Sequence, residues 1–259
     1  MTSNVVQQEV VGIIPARYAS TRFPGKMLAP IGNKPLIQHT YENARRSDLF
    51  DSLIVATDDK RIFDHVQSFG GDVVMTSLSC PNGTERLVEV MKKTPKLHTA
   101  DIIVNIQGDE PCVDPEITHT IIEALRHAPD AVMSTPIIRL KDPVEAQHPS
   151  IVKCVIDNQG YALYFSRSLI PAGHNLAWQP NTTYYRHIGI YAYRPDFLLK
   201  YADLPKTPLQ IAEDLEQLKV LEHGFRIKTA IVNSISIGVD IPDDIKKVEQ
   251  WLCKQNTFL

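Results

Sequence analysis

Residues 10–26 read VVGIIPARYASTRFPGK, and they open with a short, mostly apolar run that ends at Pro15. A continuous apolar run bounded by a breaker is typical of a strand that is buried on both faces of a sheet. Strands of this kind occur in parallel sheets covered by helices. The stretch therefore favours an α/β protein in which a polar loop follows the first strand.

The rest of the chain repeats this alternation. Similar apolar runs recur at 53–56, 72–74, 102–106 and 131–133. Amphipathic stretches of helical length lie at 36–46, 60–69, 84–92 and 115–127. Strands that alternate with helices predict βαβ units and a mostly parallel, doubly wound sheet. Right-handed crossovers would place helices on both faces of that sheet.

The pattern changes near residue 150. Strand-like stretches at 151–156, 161–165 and 185–193 are interrupted by a turn at 157–160 and a loop at 171–183. They predict a smaller antiparallel lobe of roughly 150–212 within a single domain of 1–259. The α/β style then returns with a helix from about Ile211 to His223, a strand from Ile227 to Val232 and a last helix from Asp243 to Lys254.

Composition excludes several classes of protein. The formal net charge of -3 argues against a nucleic-acid-binding protein, although a small phosphate ligand needs only a few local cations. None of the four cysteines forms a CxxC pair, so reduced thiols are favoured over a metal site. The polar residues Met1 to Glu9 lack a signal-peptide pattern, and no run is long enough to span a membrane. We expect a cytoplasmic protein with no membrane insertion.

The loop after the first strand is the first candidate binding site, because open α/β sheets bind ligands at the carboxyl ends of their strands. It contains no GxGxxG and no P-loop motif, which argues against an NAD-binding oxidoreductase. Arg17, Arg22 and Lys26 instead offer a guanidinium fork and a point charge for phosphate oxygens. A solvated basic loop is the alternative, but the position directly after a buried strand favours phosphate binding.

Acidic residues follow two other strand-like stretches. Asp109 and Glu110 come directly after 102–106, and Asp240 precedes the last helix. Mg²⁺ prefers one or two carboxylates together with substrate phosphates, so Asp109 and Asp240 are candidate ligands of one metal site. Capping is the favoured role for Asp243 and Asp244, whereas for Asp240 capping and metal binding stay open.

In a series of motifs, the chain resembles the 3-deoxy-manno-octulosonate (Kdo) cytidylyltransferases. Residues 13–26 are similar to the N-terminal signature of that family. Further matching motifs follow in order at 55–58, 83–86, 105–111, 161–167, 186–191, 215–218 and 238–244. The resemblance implies a Rossmann-like nucleotidyltransferase fold whose smaller lobe also serves in dimerisation. The implied reaction joins CTP and Kdo to give CMP-Kdo and pyrophosphate, for lipopolysaccharide biosynthesis.

The resemblance also implies roles for individual residues. Arg17 and Lys26 would hold the triphosphate and, with Asp109 and Asp240 as Mg²⁺ ligands, form the catalytic set. The nucleotide site would include Ala16, Arg17, Lys26, Thr84, Arg86 and Asp109, with Arg86 and the backbone near Ala16 reading cytosine and ribose. The Kdo site would consist of Gln107, Arg167, His187, Tyr191, Glu216 and Gln217. For His187 a sugar hydrogen bond is favoured over general-base catalysis.

Two departures from the family pattern affect these expectations. Position 82 is Asn where some family members carry Ser, and the stretch 210–214 also differs. Because that stretch borders the sugar pocket, a cytidylyltransferase for amino-Kdo or a sialic acid is the nearest rival, and a non-catalytic nucleotide-sugar sensor is another. The aromatic residues between Tyr161 and Tyr193 are interpreted as core and homodimer interface.

Overall fold

The computed structural model describes residues 9–174, 178–234 and 236–256. Most of the polar N-terminal stretch and residues 175–177 of the expected loop lie outside the described residues. The chain divides into two compact units. Unit 1 comprises Met1–Pro115, Arg194–Leu199 and Ser236–Leu259, and unit 2 comprises Glu116–Tyr193 and Lys200–Ile235.

The strands are β1 (Val10–Ala16), β2 (Pro30–Ile31), β3 (Lys34–Pro35), β4 (Ser52–Thr57), β5 (Asp72–Met75), β6 (Ile102–Asn105), β7 (Ala131–Leu140), β8 (Lys153–Ile156), β9 (Ala162–Ser166), β10 (Tyr184–His187), β11 (Tyr191–Tyr193) and β12 (Arg226–Val232). The helices are α1 (Leu36–Arg45), α2 (Lys60–Ser68), α3 (Gly83–Lys93), α4 (Pro115–Arg126), α5 (Pro143–Gln147), α6 (Pro195–Tyr201), α7 (Pro208–Glu213), α8 (Glu216–Glu222) and α9 (Asp244–Asn256). Short 3₁₀ turns cover Lys26–Leu28 and Pro95–Thr99.

Parallel strands in the order β5-β4-β1-β6 form the sheet of unit 1. β1 is almost entirely buried, as its apolar run predicts, because strands pair with it on both sides. The close approach of β4 explains why residue 12 of β1 is glycine, because a Cβ there would lie 2.7 Å from the Leu53 side chain of β4. β5 lies at the end of this strand order and is partly exposed.

In unit 2 the strand order is β11-β7-β10-β8-β9, and neighbouring strands in that order are antiparallel. β12 pairs with β7 in parallel. The α/β class predicted from the sequence is confirmed, with parallel strands in unit 1 and mostly antiparallel strands in unit 2. The lobe expected at roughly 150–212 falls largely within unit 2, whose bounds are wider, and its use in dimerisation stays a prediction.

The single helix expected from about Ile211 to His223 is wrong. The structure has two helices, α7 and α8, separated at Asp214 and Leu215. Asp214 adopts the left-handed conformation (φ 51°, ψ 51°), which ends α7. The amphipathic pattern continues across the break, so periodicity alone did not reveal it.

The described cysteines are all free thiols, as expected, with Cys112 and Cys154 buried. Burial raises the pKa of the Cys112 thiol to about 12, so this thiol is not ionised at neutral pH. Across the described ranges, no helix combines the length and the apolar character that crossing a membrane requires.

The departure at position 82 generates a stability prediction. The Asn82 side chain accepts a hydrogen bond from the Glu85 amide (2.8 Å) and caps α3. We expect Asn82→Ala to lower the free energy of unfolding by about 1 kcal/mol, because the amide loses its partner. Asn82→Ser keeps a capping oxygen and should stay close to the parent protein in urea unfolding. Equal stability of the Ala and Ser variants would contradict the capping role.

Candidate active site

The residues expected to bind the nucleotide and the metal lie at one edge of the unit 1 sheet. β1 ends at Ala16, β4 at Thr57 and β6 at Asn105, and these strands are parallel neighbours. Their carboxyl ends therefore meet at the same edge, and the segments that follow them start there. Ala16 itself is fully buried, whereas Arg17, the next residue, is exposed.

Lys26 is a buried lysine at this edge. Its ammonium donates hydrogen bonds to the Asp109 carboxylate and to the Val239 carbonyl oxygen (3.1 Å). Only 8% of Lys26 is exposed, so the nearby carboxylate offsets the cost of removing its charge from water. The Val239 amide donates in turn to the Asp109 carbonyl oxygen (2.8 Å). The structure thus brings Lys26 and Asp109 together, although they are far apart in the chain.

Gly108 allows the segment that carries Asp109 to lie against the end of β1. A Cβ at this position would lie 2.7 Å from the Pro15 carbonyl oxygen, which is closer than real Cβ contacts. The Gly108 carbonyl oxygen accepts a hydrogen bond from the buried Thr40 hydroxyl (2.9 Å) of α1. Gln107, directly before it, is half-buried at the same edge.

Asp240 and Asp244 have different environments. The Asp244 carboxylate accepts hydrogen bonds from the amides of Asp240 (3.0 Å) and Ile241 (3.1 Å), which precede α9, so the capping role expected of Asp243 and Asp244 stays a prediction. A hydrogen bond from Lys247 lowers the pKa of Asp244 further below its usual range. The Asp240 carboxylate instead forms an exposed ion pair with Arg22 (2.8 Å). Its side chain is therefore not used for capping and is accessible to a ligand.

Arg86 is buried and has protein partners. Its guanidinium donates hydrogen bonds to the Thr76 hydroxyl and to the Asp58 carboxylate (2.8 Å). The side chains of Arg86 and Asp58 are only 3% and 7% exposed. Arg86 therefore ties α3 to the ends of β4 and β5, and its role in reading the base stays a prediction. Thr84, in the first turn of α3, is also buried.

Asp58 ends the matching motif at 55–58, but it was not among the site residues expected from the sequence. It follows β4 directly, at the same edge as Lys26 and Asp109. Besides the Arg86 guanidinium, it accepts a hydrogen bond from the Tyr18 amide (3.4 Å). Its position after a buried strand was a usable signal, because that position also drew attention to Asp109.

Comparisons with known proteins identify the family. The family model described as Cytidylyltransferase matches residues 11–230. A relative from Protochlamydia amoebophila, named 3-deoxy-manno-octulosonate cytidylyltransferase, is 58% identical, and the match covers 97% of each chain.

The chain belongs to the 3-deoxy-manno-octulosonate cytidylyltransferase family.

Another member of the 3-deoxy-manno-octulosonate cytidylyltransferase family, from Arabidopsis thaliana and named mitochondrial, is 49% identical over 98% of this chain and 87% of its own. A solved structure described as CMP:2-keto-3-deoxy-manno-octonic acid synthetase complexed with CTP is 41% identical. It superposes with a TM-score of 0.88 and covers 96% of this chain and 100% of its own. The resemblance stated from the sequence motifs is therefore confirmed, as is membership of an enzyme family of nucleotidyltransferases.

The remaining residues that the family resemblance implies lie in unit 2. Three of them come together. The Tyr191 hydroxyl donates to the Gln217 side-chain oxygen (3.4 Å), and the His187 ring lies 5.6 Å from the Tyr191 ring. For the amide nitrogen of Gln217 the described part of the chain offers no hydrogen-bond partner. A buried donor of this kind suits an oxygen atom of a polar ligand.

His187 is buried in unit 2. Its Nε2 lies 2.9 Å from the Thr135 hydroxyl, and its ring packs edge-on against Phe165 at 4.9 Å between centroids. Burial disfavours the charged imidazolium and lowers the pKa of His187 to about 3. At neutral pH the ring is uncharged and a poor proton acceptor, which supports the hydrogen-bonding role over the general-base role.

Arg167 is held at the end of β9 by α7. Its Nε donates to the Glu213 carbonyl oxygen (2.8 Å), and its amide donates to the Glu213 carboxylate (2.9 Å). Glu213 also accepts from the Ser166 hydroxyl (2.6 Å). Glu216, in the first turn of α8, is half-buried. The stretch 210–214, which departs from the family pattern, therefore supplies a residue that fixes Arg167.

The burial of Lys153 was also not expected from the sequence. It is fully buried, and its ammonium donates to the carbonyl oxygens of His148 (3.2 Å), Ile151 and Arg167. Burial lowers its pKa. No local signal marked this lysine, because charged residues at the start of a strand are usually exposed.

The burial of His187 predicts how the stability of the protein depends on pH. Between about pH 6.5 and pH 3 the unfolded chain binds a proton at His187 that the folded chain does not. Stability from this group is therefore present above about pH 6.5 and is lost as the pH falls, by up to about 1.4 kcal/mol per pH unit. We expect His187→Gln to flatten this dependence in urea unfolding between pH 7 and pH 5.

The exposed His127 provides the control for this measurement. A variant at His127 tests whether losing any histidine has the same effect. If both variants keep the slope of the parent protein, His187 does not stay neutral in the folded chain.

Proposed function

We propose that this chain transfers CMP from CTP to Kdo, giving CMP-Kdo and pyrophosphate. The observation that carries the proposal is the buried Lys26, held by Asp109 and the Val239 carbonyl at the end of parallel strands. A fixed cation at this edge of an α/β sheet suits a polyphosphate. The relatives named for this reaction, at up to 58% identity over nearly the whole chain, support the choice of nucleotide and sugar acid.

In the proposed reaction an oxygen of the anomeric hydroxyl of Kdo attacks the α-phosphorus of CTP. A new phosphorus–oxygen bond forms as the bond to the β-phosphate breaks, pyrophosphate leaves, and the hydroxyl proton is released. Phosphoryl-transfer enzymes act mainly by positioning and by charge stabilisation. Lys26 and the exposed Arg17 would bind the triphosphate and stabilise the charge that develops on its oxygens.

The carboxylates of Asp109 and Asp240 fit the donor set that Mg²⁺ prefers with a nucleotide, namely one or two carboxylates with phosphate oxygens and water. The backbone bond between Val239 and Asp109 places the residue before Asp240 beside Asp109. No group of three or more potential metal-ligating side chains is found in the described ranges, so the Mg²⁺ site stays a proposal. Bound Mg²⁺ would neutralise phosphate charge and make the sugar hydroxyl more acidic.

Residues of unit 2 would recognise the sugar acid. The unpaired amide nitrogen of Gln217 suits a sugar oxygen, and the neutral His187 and the Tyr191 hydroxyl offer further polar contacts. Arg167 and Glu216 complete this proposed set, with Gln107 at the unit 1 edge. A guanidinium can bind both oxygens of a carboxylate, so Arg167 would suit the acid group of the sugar, although its Nη1 and Nη2 atoms now donate to the carbonyl oxygens of Pro149 and Asp214 (both 3.3 Å).

Dimerisation and cellular location are part of the same proposal. Four of the aromatic side chains expected in core or interface, those of Phe165, Tyr184, Tyr191 and Tyr193, are buried within unit 2. Tyr161, which is partly exposed, is among those left for an interface between two copies. We propose that the protein is a homodimer in the cytoplasm. Its product, CMP-Kdo, would be used in lipopolysaccharide biosynthesis.

The direct test is pyrophosphate release with CTP and Mg²⁺, with and without Kdo, with ATP, GTP and UTP as controls. Release that requires both CTP and Kdo is the expected result. Release with a different sugar acid but not with Kdo would overturn the substrate and keep the cytidylyltransferase chemistry. CTP binding without release for any acid would favour a nucleotide-sugar sensor.

We expect Asp109→Ala to lower kcat by at least about 100-fold. The change removes a proposed metal ligand and leaves the Lys26 ammonium buried without its carboxylate. Asp64→Ala is the matched control, since Asp64 also pairs with a lysine, Lys60, but on the exposed face of α2. Steady-state kinetics at saturating Mg²⁺ measure the effect, and normal turnover of the Asp109 variant would remove it from the metal site.

A further inference from the structure

Tyr18 lies in the loop 17–25 and takes no part in the chemistry proposed above. Its ring is covered by the Arg61 guanidinium, whose central carbon lies 3.4 Å from the ring centroid. Arg61 belongs to the first turn of α2, so a rigid element holds a residue of the loop that carries Arg17. A guanidinium stacked on an aromatic face attracts it through the negative charge of the ring face.

Arg61 is oriented by a second contact. Its Nε and Nη2 atoms donate to the two oxygens of Asp59, at 2.9 Å and 2.7 Å. Asp59 also accepts the Arg61 amide (2.9 Å) and caps α2. The fork of two hydrogen bonds fixes the plane of the guanidinium and presents its face to Tyr18.

The main chain of Tyr18 is anchored as well. Its amide donates to the buried Asp58, and its carbonyl oxygen accepts from the Gly25 amide (3.0 Å). Gly25 adopts a positive φ of 72°, and a Cβ there would lie 2.9 Å from the Tyr18 hydroxyl oxygen. Gly25 directly precedes Lys26, so the position of the Tyr18 ring is coupled to the turn that leads the chain to Lys26.

We propose that Tyr18, Asp58, Asp59 and Arg61 form a clamp that positions the loop 17–25 for CTP, with Arg61 as a positioning residue. The clamp holds both ends of the loop, at Tyr18 and at Gly25, and thereby orients Arg17 and Lys26. This inference rests on the proposed function. A surface ion pair contributes little by itself, and the Arg61–Asp59 pair acts here through the ring that it supports.

The test begins with Arg61→Ala, and Lys60→Ala is the matched control. Lys60 is the neighbouring residue of α2 and forms an exposed ion pair with Asp64. The Arg61 side chain is itself 59% exposed, so neither change should prevent folding. We expect the Arg61 variant to lose about fivefold in kcat/KM for CTP, as the loss of one cation–aromatic contact implies, at an unchanged KM for Kdo. The Lys60 variant should retain the parent values.

A double-mutant cycle separates positioning from a general structural effect. Tyr18→Phe keeps the ring and should behave like the parent, whereas Tyr18→Leu should match Arg61→Ala. Combining Tyr18→Leu with Arg61→Ala should add little to either single change, because both remove the same contact. Additive losses, or unchanged kcat/KM for CTP in Arg61→Ala, would overturn the clamp as a positioning device.

A readout without substrate keeps this test distinct from that of the proposed function. Trypsin cleavage at the Arg17–Tyr18 and Arg22–Phe23 bonds, followed by mass spectrometry, reports opening of the loop. We expect faster cleavage in Arg61→Ala than in Lys60→Ala or the parent. If the parent releases no pyrophosphate, the proposed function fails, and faster cleavage still supports the clamp. Equal cleavage rates in all three proteins would show that Arg61 does not hold the loop.

Discussion

Strand β1 pairs in parallel with β4 on one side and with β6 on the other, and the rest of the site depends on this register. Ala16 lies opposite Thr57, and Ile13 lies opposite Asn105. The loop 17–25 and Asp58 therefore begin at one edge, and Asp109 follows β6 at that edge. Because β1 is buried on both faces, its apolar run alone does not select this register, whereas Gly12 suits it, since a Cβ there would lie 2.7 Å from the side chain of the facing Leu53.

Charges placed at this edge are stabilised by other charges. Lys26 is buried against Asp109, and Arg86 against Asp58. Removing such groups from water is costly, and a buried ion pair is weak support for fold stability. Their concentration at the ends of parallel strands is more consistent with a site prepared for a phosphate-bearing ligand. In unit 2 the buried Lys153 instead donates hydrogen bonds to carbonyl oxygens.

The polar groups of unit 2 are of another kind. His187 is neutral, Tyr191 and Gln217 are buried beside each other, and aromatic rings surround them. Uncharged donors and acceptors in an apolar setting select a ligand by the arrangement of its oxygens, because any buried group left unpaired is costly. Arg167 adds a cation, and the break between α7 and α8 places Glu213 where it fixes that arginine. The position of Arg167 thus depends on a local backbone conformation at Asp214, which lies outside the matching motifs.

The sequence by itself determined the α/β class and the order of most strands and helices, and it pointed to Lys26 and Asp109 as candidate site residues. These features can be predicted from apolar runs, turn residues and short motifs, because such patterns involve residues that are near neighbours in the chain. Only the tertiary structure decided that Asp58 binds Arg86, that Asp240 pairs with Arg22 while Asp244 accepts backbone amides, and that Lys153 is buried. Those outcomes depend on which distant segments pack together and on how much water that packing removes. Neither produces a periodic pattern in the local sequence.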